Sequence, residues 1–305
     1  MSGYLHPTYA QSLAEFGTPR ELSRCGGWIL ERPISESSSE SSWHDGMGCY
    51  PLFACRDWSQ LPADIEELRE QFVALSLVAD PFGVYEVADL QRCFDMVQPF
   101  KDHFVADLHQ PLNTIVSKHH RYYARRSLSQ VEVEVCPNAA QFLDEWMALY
   151  ATLIEKHHLK GIKAFSRTAF DTQLQVPGIV ALRATHQGAT VAAHLWYVQG
   201  EVAYSHLAAS SAAGYDLMAS YALYWFAIQH FTQEGAVRWL DIGAGAGAAA
   251  TAGGLSEFKR GWSTSTRPTY FCGRIFNPAQ YNAIVEARGV PSTGYFPAYR
   301  RGEFG

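Results

Sequence analysis

The sequence predicts a mixed α+β fold built as two layered units, each a largely antiparallel sheet flanked by helices. Three observations predict it. The chain has 305 residues, which suits two domains of about 150 better than one. Ile179 to Ala208 reads as three short strands with hairpin-length turns at Gln187-Gly188 and Gln199-Gly200, an antiparallel meander. The second half orders as helix, helix, three strands, helix, strand, short helix, strand and helix, and the first half repeats part of that rhythm as strand, strand, helix, strand. On this reading residues 1–130 form one domain and 131–305 the other.

The elements follow in order. Gly27 to Pro33 and Tyr50 to Arg56 read as strands of a hairpin-like pair, joined by a Ser/Glu-rich tether from Ser35 to Gly46 that cannot bury a core. Pro62 opens a helix with Ile65, Leu68 and Phe72 on one face, and Val73 to Val78 is a buried strand stopped by Asp80-Pro81-Phe82-Gly83. Lys118 to Arg126 is a basic helix in which Arg121 and Arg125 share a face. Val131, Val133 and Val135 alternate with Glu132 and Glu134, a strand with one wet side. Asn138 caps a helix whose apolar face is Phe142, Trp146, Leu149 and Leu153, with Gln141 placed for a capping box. A second helix covers Arg167 to Leu174. After the meander a long helix runs from Ala213 to Gly235, then a strand from Val237 to Ile242. A last strand covers Tyr270 to Ile275, and Asn277 with Pro278 opens a final helix that ends before Gly289.

Composition narrows the function. Hydrophobic residues make up 48% and charged residues 18% of the chain, which excludes extended disorder. A net charge of −6 argues against a general nucleic-acid coat, and no DNA partner is expected. The six cysteines form no Cys-x-x-Cys pair, and the chain opens without a basic-then-apolar signal segment; reduced thiols in a cytoplasmic protein are expected. Cys49, Cys55 and His44 fit no zinc spacing, so no metal is expected. Ala212 to Phe231 is long and apolar, but Asp216, Gln229 and His230 interrupt it, which makes it a core helix rather than a membrane span.

The segment richest in chemistry is Gly253-Gly254-Leu255-Ser256-Glu257-Phe258-Lys259-Arg260-Gly261-Trp262. Phe258 and Trp262 can anchor it while Lys259 and Arg260 face an opening. Arg supplies a planar fork and Lys a movable point charge, which suits a phosphate or carboxylate. The competing reading is a short surface helix with apolar anchors. His194, and His206 beside Tyr204 on the next strand, are histidines of the meander that could serve as a general base or could be hydrogen-bonded sheet residues. Asp241, at the end of a buried strand, is a rival for that role or a turn cap. Leu240 to Gly247 imitates the first motif of S-adenosylmethionine methyltransferases, but too little chain follows it and the preceding strands read as antiparallel.

The rhythm of elements, with Phe-Lys-Arg-Gly-Trp after a strand, resembles the FemAB-like branch of the GNAT (Gcn5-related N-acyltransferase) superfamily. The motif there is approximately Gly-Leu-x-x-Phe-Lys-x-Gly-Phe; Gly254, Leu255, Phe258, Lys259 and Gly261 match it, and Trp262 stands for the last Phe. Lys118 to Arg126 is similar to a basic helix these proteins carry between their halves. The resemblance covers residues 100–275.

It implies two tandem GNAT-like domains with a cleft between them, and transfer of an acyl or aminoacyl group from acyl-CoA or aminoacyl-tRNA to a small amine or amino-acid-like acceptor. No cofactor would be bound permanently; acyl-CoA is the expected co-substrate and tRNA the less favoured one, because the long coiled-coil arm of tRNA-dependent members is absent. Lys259 would hold a donor phosphate or steady developing charge, with Arg260 beside it. The glycine-rich phosphate loop of ordinary members is incomplete here, replaced by Ser210 to Asp216, whose helix-leading Gly214 and Tyr215 amides could receive phosphate. Arg121, Arg125 and Tyr204 would contact the acceptor or a donor tail. The base would be His206, His194 or Asp241, in that order. The alternative from another class is a catalytically silent GNAT-like binding module.

Overall fold

The computed structural model describes residues 1–34, 43–245, 253–291 and 293–303. Its strands, in chain order, are β1 (Thr18–Leu22), β2 (Gly27–Ile34), β3 (Trp43–Gly48), β4 (Ala74–Ala79), β5 (Met96–Asp107), β6 (Glu132–Val135), β7 (Ile179–His186), β8 (Ala189–Gln199), β9 (Val202–Ser210), β10 (Trp239–Gly243) and β11 (Ser265–Ile275). The helices are α1 (Pro7–Gln11), α2 (Leu61–Glu67), α3 (Val87–Cys93), α4 (Leu112–Ile115), α5 (Lys118–Leu128), α6 (Leu143–His157), α7 (Arg167–Gln173), α8 (Ala212–Asp216), α9 (Ala219–Glu234), α10 (Gly254–Arg260) and α11 (Pro278–Ala287). The fold is mixed α+β, with mostly antiparallel strand pairing flanked by helices.

Contacts group the chain into two compact units that do not follow sequence order. One holds residues 1–3, 101–159 and 166–268; the other holds 4–100, 160–165 and 269–305. The strands β5 and β11 therefore each contribute residues to both.

In the first unit the strand order is β5-β10-β9-β8-β7-β6. The meander β7-β8-β9 is antiparallel throughout, so the doubly wound parallel sheet of a methyltransferase is absent from it. Alternation sorts its side chains onto two faces. Trp196 packs toward α9 through Tyr224 and Phe231, while its neighbour Tyr197 turns to α7 and donates its hydroxyl to the Gln173 carbonyl at 2.9 Å. The core on the α9 face gathers Phe104, Ala106, Leu182, Trp196, Leu223, Tyr224, Phe231, Leu240, Ile242 and Trp262, all buried.

The expected long helix is broken. Met218 takes a left-handed backbone (φ 55°) between α8 and α9, and Ser211 caps the first piece. Close packing explains the short piece: a Cβ at Gly214 would meet the Val191 carbonyl oxygen at 2.2 Å, so only glycine lets α8 lie this near β8. Asn138 caps a single 3-10 turn, Ala139–Phe142, and the helix proper begins at Leu143.

In the second unit β1-β2-β3 is antiparallel, β3 pairs parallel with β4, and β4 pairs antiparallel with β11. The partner of β2 is Trp43–Gly48, not the expected Tyr50 to Arg56. Pro51 has no amide hydrogen to give a ladder, and that segment makes only an isolated bridge from Phe53 to Ala79. Of the expected tether, residues 35–42 lie outside the described residues, while 43–46 belong to β3; there Asp45 is 2% exposed and paired by both oxygens to Arg300 at 2.9 Å. Asn277 caps α11 as expected.

Candidate functional site

The site lies where β10 ends. β9 and β10 pair in parallel only over Trp239↔Val202, Leu240↔Ala203 and Asp241↔Tyr204. Past that point β9 continues to Ser210, whereas β10 stops at Gly243, whose positive φ of 75° turns the chain away. Tyr204 and Asp241 are cross-strand partners, so their side chains project from the same face of the sheet. Both are 2% exposed.

Asp241 is the hub. Its carboxylate lies 2.9 and 2.8 Å from His103 Nδ1 on β5, and Oδ1 also accepts the Gly243 amide at 2.7 Å. Lys259, on α10, reaches the same strand end. Its Nζ donates to the Ala244 carbonyl at 2.7 Å, and a Cβ added at Gly243 would come within 3.1 Å of it. Burial pulls the Lys259 pKa down to about 8, against the charge of Asp241, which raises it, and together with Lys101, which lowers it. The ammonium is thus held in a poorly solvated place where an incoming anion would feel it strongly.

The motif around Lys259 is locked by the first turn of α5. His120 donates its Nε2 proton to the Phe258 carbonyl at 2.9 Å and accepts the Ser117 hydroxyl at Nδ1 at 2.8 Å. The Ser117 amide donates to the Gly261 carbonyl at 2.9 Å. A Cβ at Gly261 would fall 2.0 to 2.4 Å from three atoms of the His120 ring. That is the physical reason for glycine after Phe-Lys-Arg. Phe258 and Trp262 anchor the segment as expected, Trp262 fully buried, in a nest with Tyr221, Tyr224 and His120.

The remaining residues singled out by sequence fall in varied places. Arg260 is exposed and lies 5.8 Å over the Phe104 ring. His194 is fully buried; Nε2 meets Ser205 Oγ at 2.8 Å, and Nδ1 has no partner among the described residues. His206 is the extra residue of a bulge between β8 and β9 and is tied to Gln173 Oε1 at 3.1 Å. Burial drives the pKa of both histidines down to about 3. Arg121 spends its guanidinium on the carbonyls of Asn113 and Val116, 3.1 and 2.8 Å away at the end of α4, and Arg125 is exposed. The amides of Gly214 and Tyr215 are bonded to the Ser211 hydroxyl and carbonyl at 3.2 and 3.0 Å. Tyr215 is 40% exposed, with Lys156 over its ring.

Sequence reasoning missed His103 and His120. His103 lies in the strand Met96–Asp107, which carries no clear alternation and was not read as an element; His120 was read only as part of a basic helix.

Residues 116–260 match the family described as Acetyltransferase (GNAT) domain. Solved structures agree over nearly the whole chain. The C-terminal domain of a putative lysylphosphatidylglycerol synthetase from Agrobacterium fabrum aligns with a TM-score of 0.63 at 14% identity, covering 96% of this chain and 95% of that one. FemX aligns at 0.60 and 12% identity over 91% and 93% of the two chains. L-PGS from Bacillus licheniformis aligns at 0.60 and 14% over 96% and 99%. No curated protein sequence matches. The match places a GNAT acetyltransferase domain in residues 116–260 of this chain. The chain's fold is like that of FemX and of the lysylphosphatidylglycerol synthetase domain, and Lys259 lies within the matched stretch. No described helix is long and apolar enough to cross a membrane.

Proposed function

We propose that this protein is an N-acyltransferase that moves an acyl group from an acyl-CoA thioester to an amine on a small acceptor. The observation that carries the reading is Lys259, held in a poorly solvated position beside Asp241 at the open end of β10 within the matched domain. An ammonium placed there can hold a donor phosphate or steady the oxyanion that forms when the amine attacks. Arg260, exposed one residue on, adds a second positive group for the donor.

Among the described residues, the β9 edge facing β10 has no ladder past Tyr204 and Asp241, and an extended donor arm carrying amides can pair with such an edge. Arg125 and the free face of the α5 helix are where an anionic tail would be met. Of the three base candidates read from sequence, His194 and His206 are sealed in the core and hold a proton poorly, whereas Asp241 lies at the Lys259 end of β10, bonded to His103. Chemistry then consists of orienting donor and amine, removing the amine proton and stabilising negative charge.

An aminoacyl donor is the second reading, supported by a neighbour described as the C-terminal domain of a putative lysylphosphatidylglycerol synthetase. A thermal-shift screen with CoA, acetyl-CoA and longer acyl-CoAs tests the first reading. A donor at 100 times its dissociation constant stabilises by about 2.7 kcal/mol. The Lys259→Met variant should lose that response. A screen in which no CoA species shifts the wild type removes the acyl-CoA donor and leaves the aminoacyl one, which charged tRNA tests in the same assay.

A further inference from the structure

We propose that His103 is the general base of the Lys259 site, with Asp241 as its positioning residue; the role rests on the acyl-transfer reading, the dyad itself does not. A carboxylate can only accept hydrogen bonds, so two oxygens at 2.9 and 2.8 Å from Nδ1 fix the imidazole proton on that nitrogen. The lone pair is then on Nε2. No protein group pairs with Nε2 among the described residues, and it is not among the atoms sealed from solvent. The two halves of the dyad differ in the way a base and its holder should: the His103 side chain is 14% exposed and that of Asp241 2%.

Asp241 is itself pinned, by the Gly243 amide at 2.7 Å. The same short turn carries Ala244, whose carbonyl takes the Lys259 ammonium at 2.7 Å. Base and cation are therefore held by one strand end, three residues apart in their anchors. The buried histidines lack this arrangement. His194 and His206 face a hydroxyl and a carboxamide inside the core, and His120 has both nitrogens occupied.

The step balances as follows. The neutral amine nitrogen attacks the thioester carbonyl carbon, forming the C–N bond. His103 Nε2 takes one amine proton. The C–S bond breaks with its electron pair leaving on sulfur, and the imidazolium returns the proton to that thiolate, giving amide and free thiol. Asp241 faces the transient imidazolium.

The test uses the full chain and two probes. p-Nitrophenyl acetate reports the base directly, because water can replace the amine; acetyl-CoA with a panel of primary amines reports the transfer. His103→Gln and His103→Ala should each slow ester hydrolysis by about 100-fold, and added imidazole should recover part of the rate in His103→Ala. Asp241→Asn should slow it too and move the His103 proton from Nδ1 to Nε2 in ¹⁵N-detected imidazole spectra, a change that a purely structural role would not produce. Ester hydrolysis that depends on His103, without any transfer from acetyl-CoA, overturns the acyl-CoA reading and leaves the dyad standing. Transfer from acetyl-CoA that His103→Gln leaves unchanged keeps that reading and overturns the dyad. So does a wild type that hydrolyses the ester no faster than buffer, or one whose His103 carries its proton on Nε2.

Discussion

Replacing Gly261 by alanine should damage the protein far more than its ordinary helical backbone suggests. Gly261 sits at φ −70° and ψ −9°, where alanine is comfortable, so the backbone offers no objection. Space does. The new Cβ would lie 2.0, 2.2 and 2.4 Å from Cε1, Nδ1 and Nε2 of His120. That ring is 6% exposed, held at both nitrogens, and in contact with Phe258, Trp262 and Tyr221, so it has no open side to swing into. Overpacking of this kind costs about 1–3 kcal/mol. Loss of the bonds to Ser117 and Phe258 adds about 0.5–1.5 kcal/mol each. A Gly→Ala exchange returns about 0.4–1 kcal/mol through the unfolded chain. The net expectation is about 2–4 kcal/mol, or a melting temperature lower by about 4–16 °C at ~2–4 °C per kcal/mol.

Circular-dichroism melts of Gly261→Ala measure this. Gly254→Ala is the control, since no described residue lies within 4 Å of a Cβ there. The decisive arm is the double-mutant cycle with His120→Ala. Removing the ring removes the clash, so the double variant should be no less stable than His120→Ala alone, with a coupling of about 1–3 kcal/mol. Strict additivity, or a Gly261→Ala protein that melts with the wild type, refutes the close approach of α10 to α5.

Three further outcomes are expected. Stability should fall in mild acid, because His194 and His206 have folded pKa values of about 3 against 6.5 unfolded. The unfolded chain binds the extra protons, so their contribution is complete above pH 6.5 and is lost as pH falls toward 3, by up to about 1.4 kcal/mol per pH unit for each histidine; urea titrations across that range, with His206→Gln showing a flatter dependence, check it. Donor binding should weaken as pH rises through about 8, where the Lys259 ammonium is lost, whereas Lys259→Met should bind donor weakly at every pH without losing stability, since it removes a poorly solvated charge; calorimetric titration with acetyl-CoA and thermal melts read the two effects. Gly214→Ala should destabilise by about 2 kcal/mol or more by the overpacking argument, because its Cβ would strike the Val191 carbonyl of β8 at 2.2 Å and a backbone atom cannot rotate away; a melt equal to that of the wild type would sink this.

Much of the fold was legible because it is written in local period. The meander turns at Gly188 and Gly200 have positive φ of 79° and 58°, and their hairpin-length spacing gave three antiparallel strands, while the bulges that shift their register were not legible. The cap at Asn277 was equally local, whereas the helix expected to carry Ile65, Leu68 and Phe72 on one face ends at Glu67, short of the last two. The hairpin partner of β2 was not legible, because Tyr50 to Arg56 has the apolar content of a strand and only the missing amide of Pro51 tells against it. The break at Met218 was not legible either. The residues around it are good helix formers, and the break comes from packing of α8 on β8, a contact between segments far apart in sequence.

The same division runs through the site. By itself the sequence determined that Lys259 stands in a short segment between two aromatic anchors after a buried strand ending in Asp241, and that this motif belongs to an acyltransferase-like pattern. Such a motif is contiguous, so residue order alone carries it. Only the tertiary structure decided which groups meet it. His103 lies 138 residues from Asp241, and His120 lies 138 residues from Phe258. The histidines that looked most catalytic by alternation, His194 and His206, were closed off by helices packed on both faces of the sheet. Burial and charge partnership, which decide whether an imidazole can accept a proton, depend on what the whole chain folds around each ring, and no local spacing encodes that.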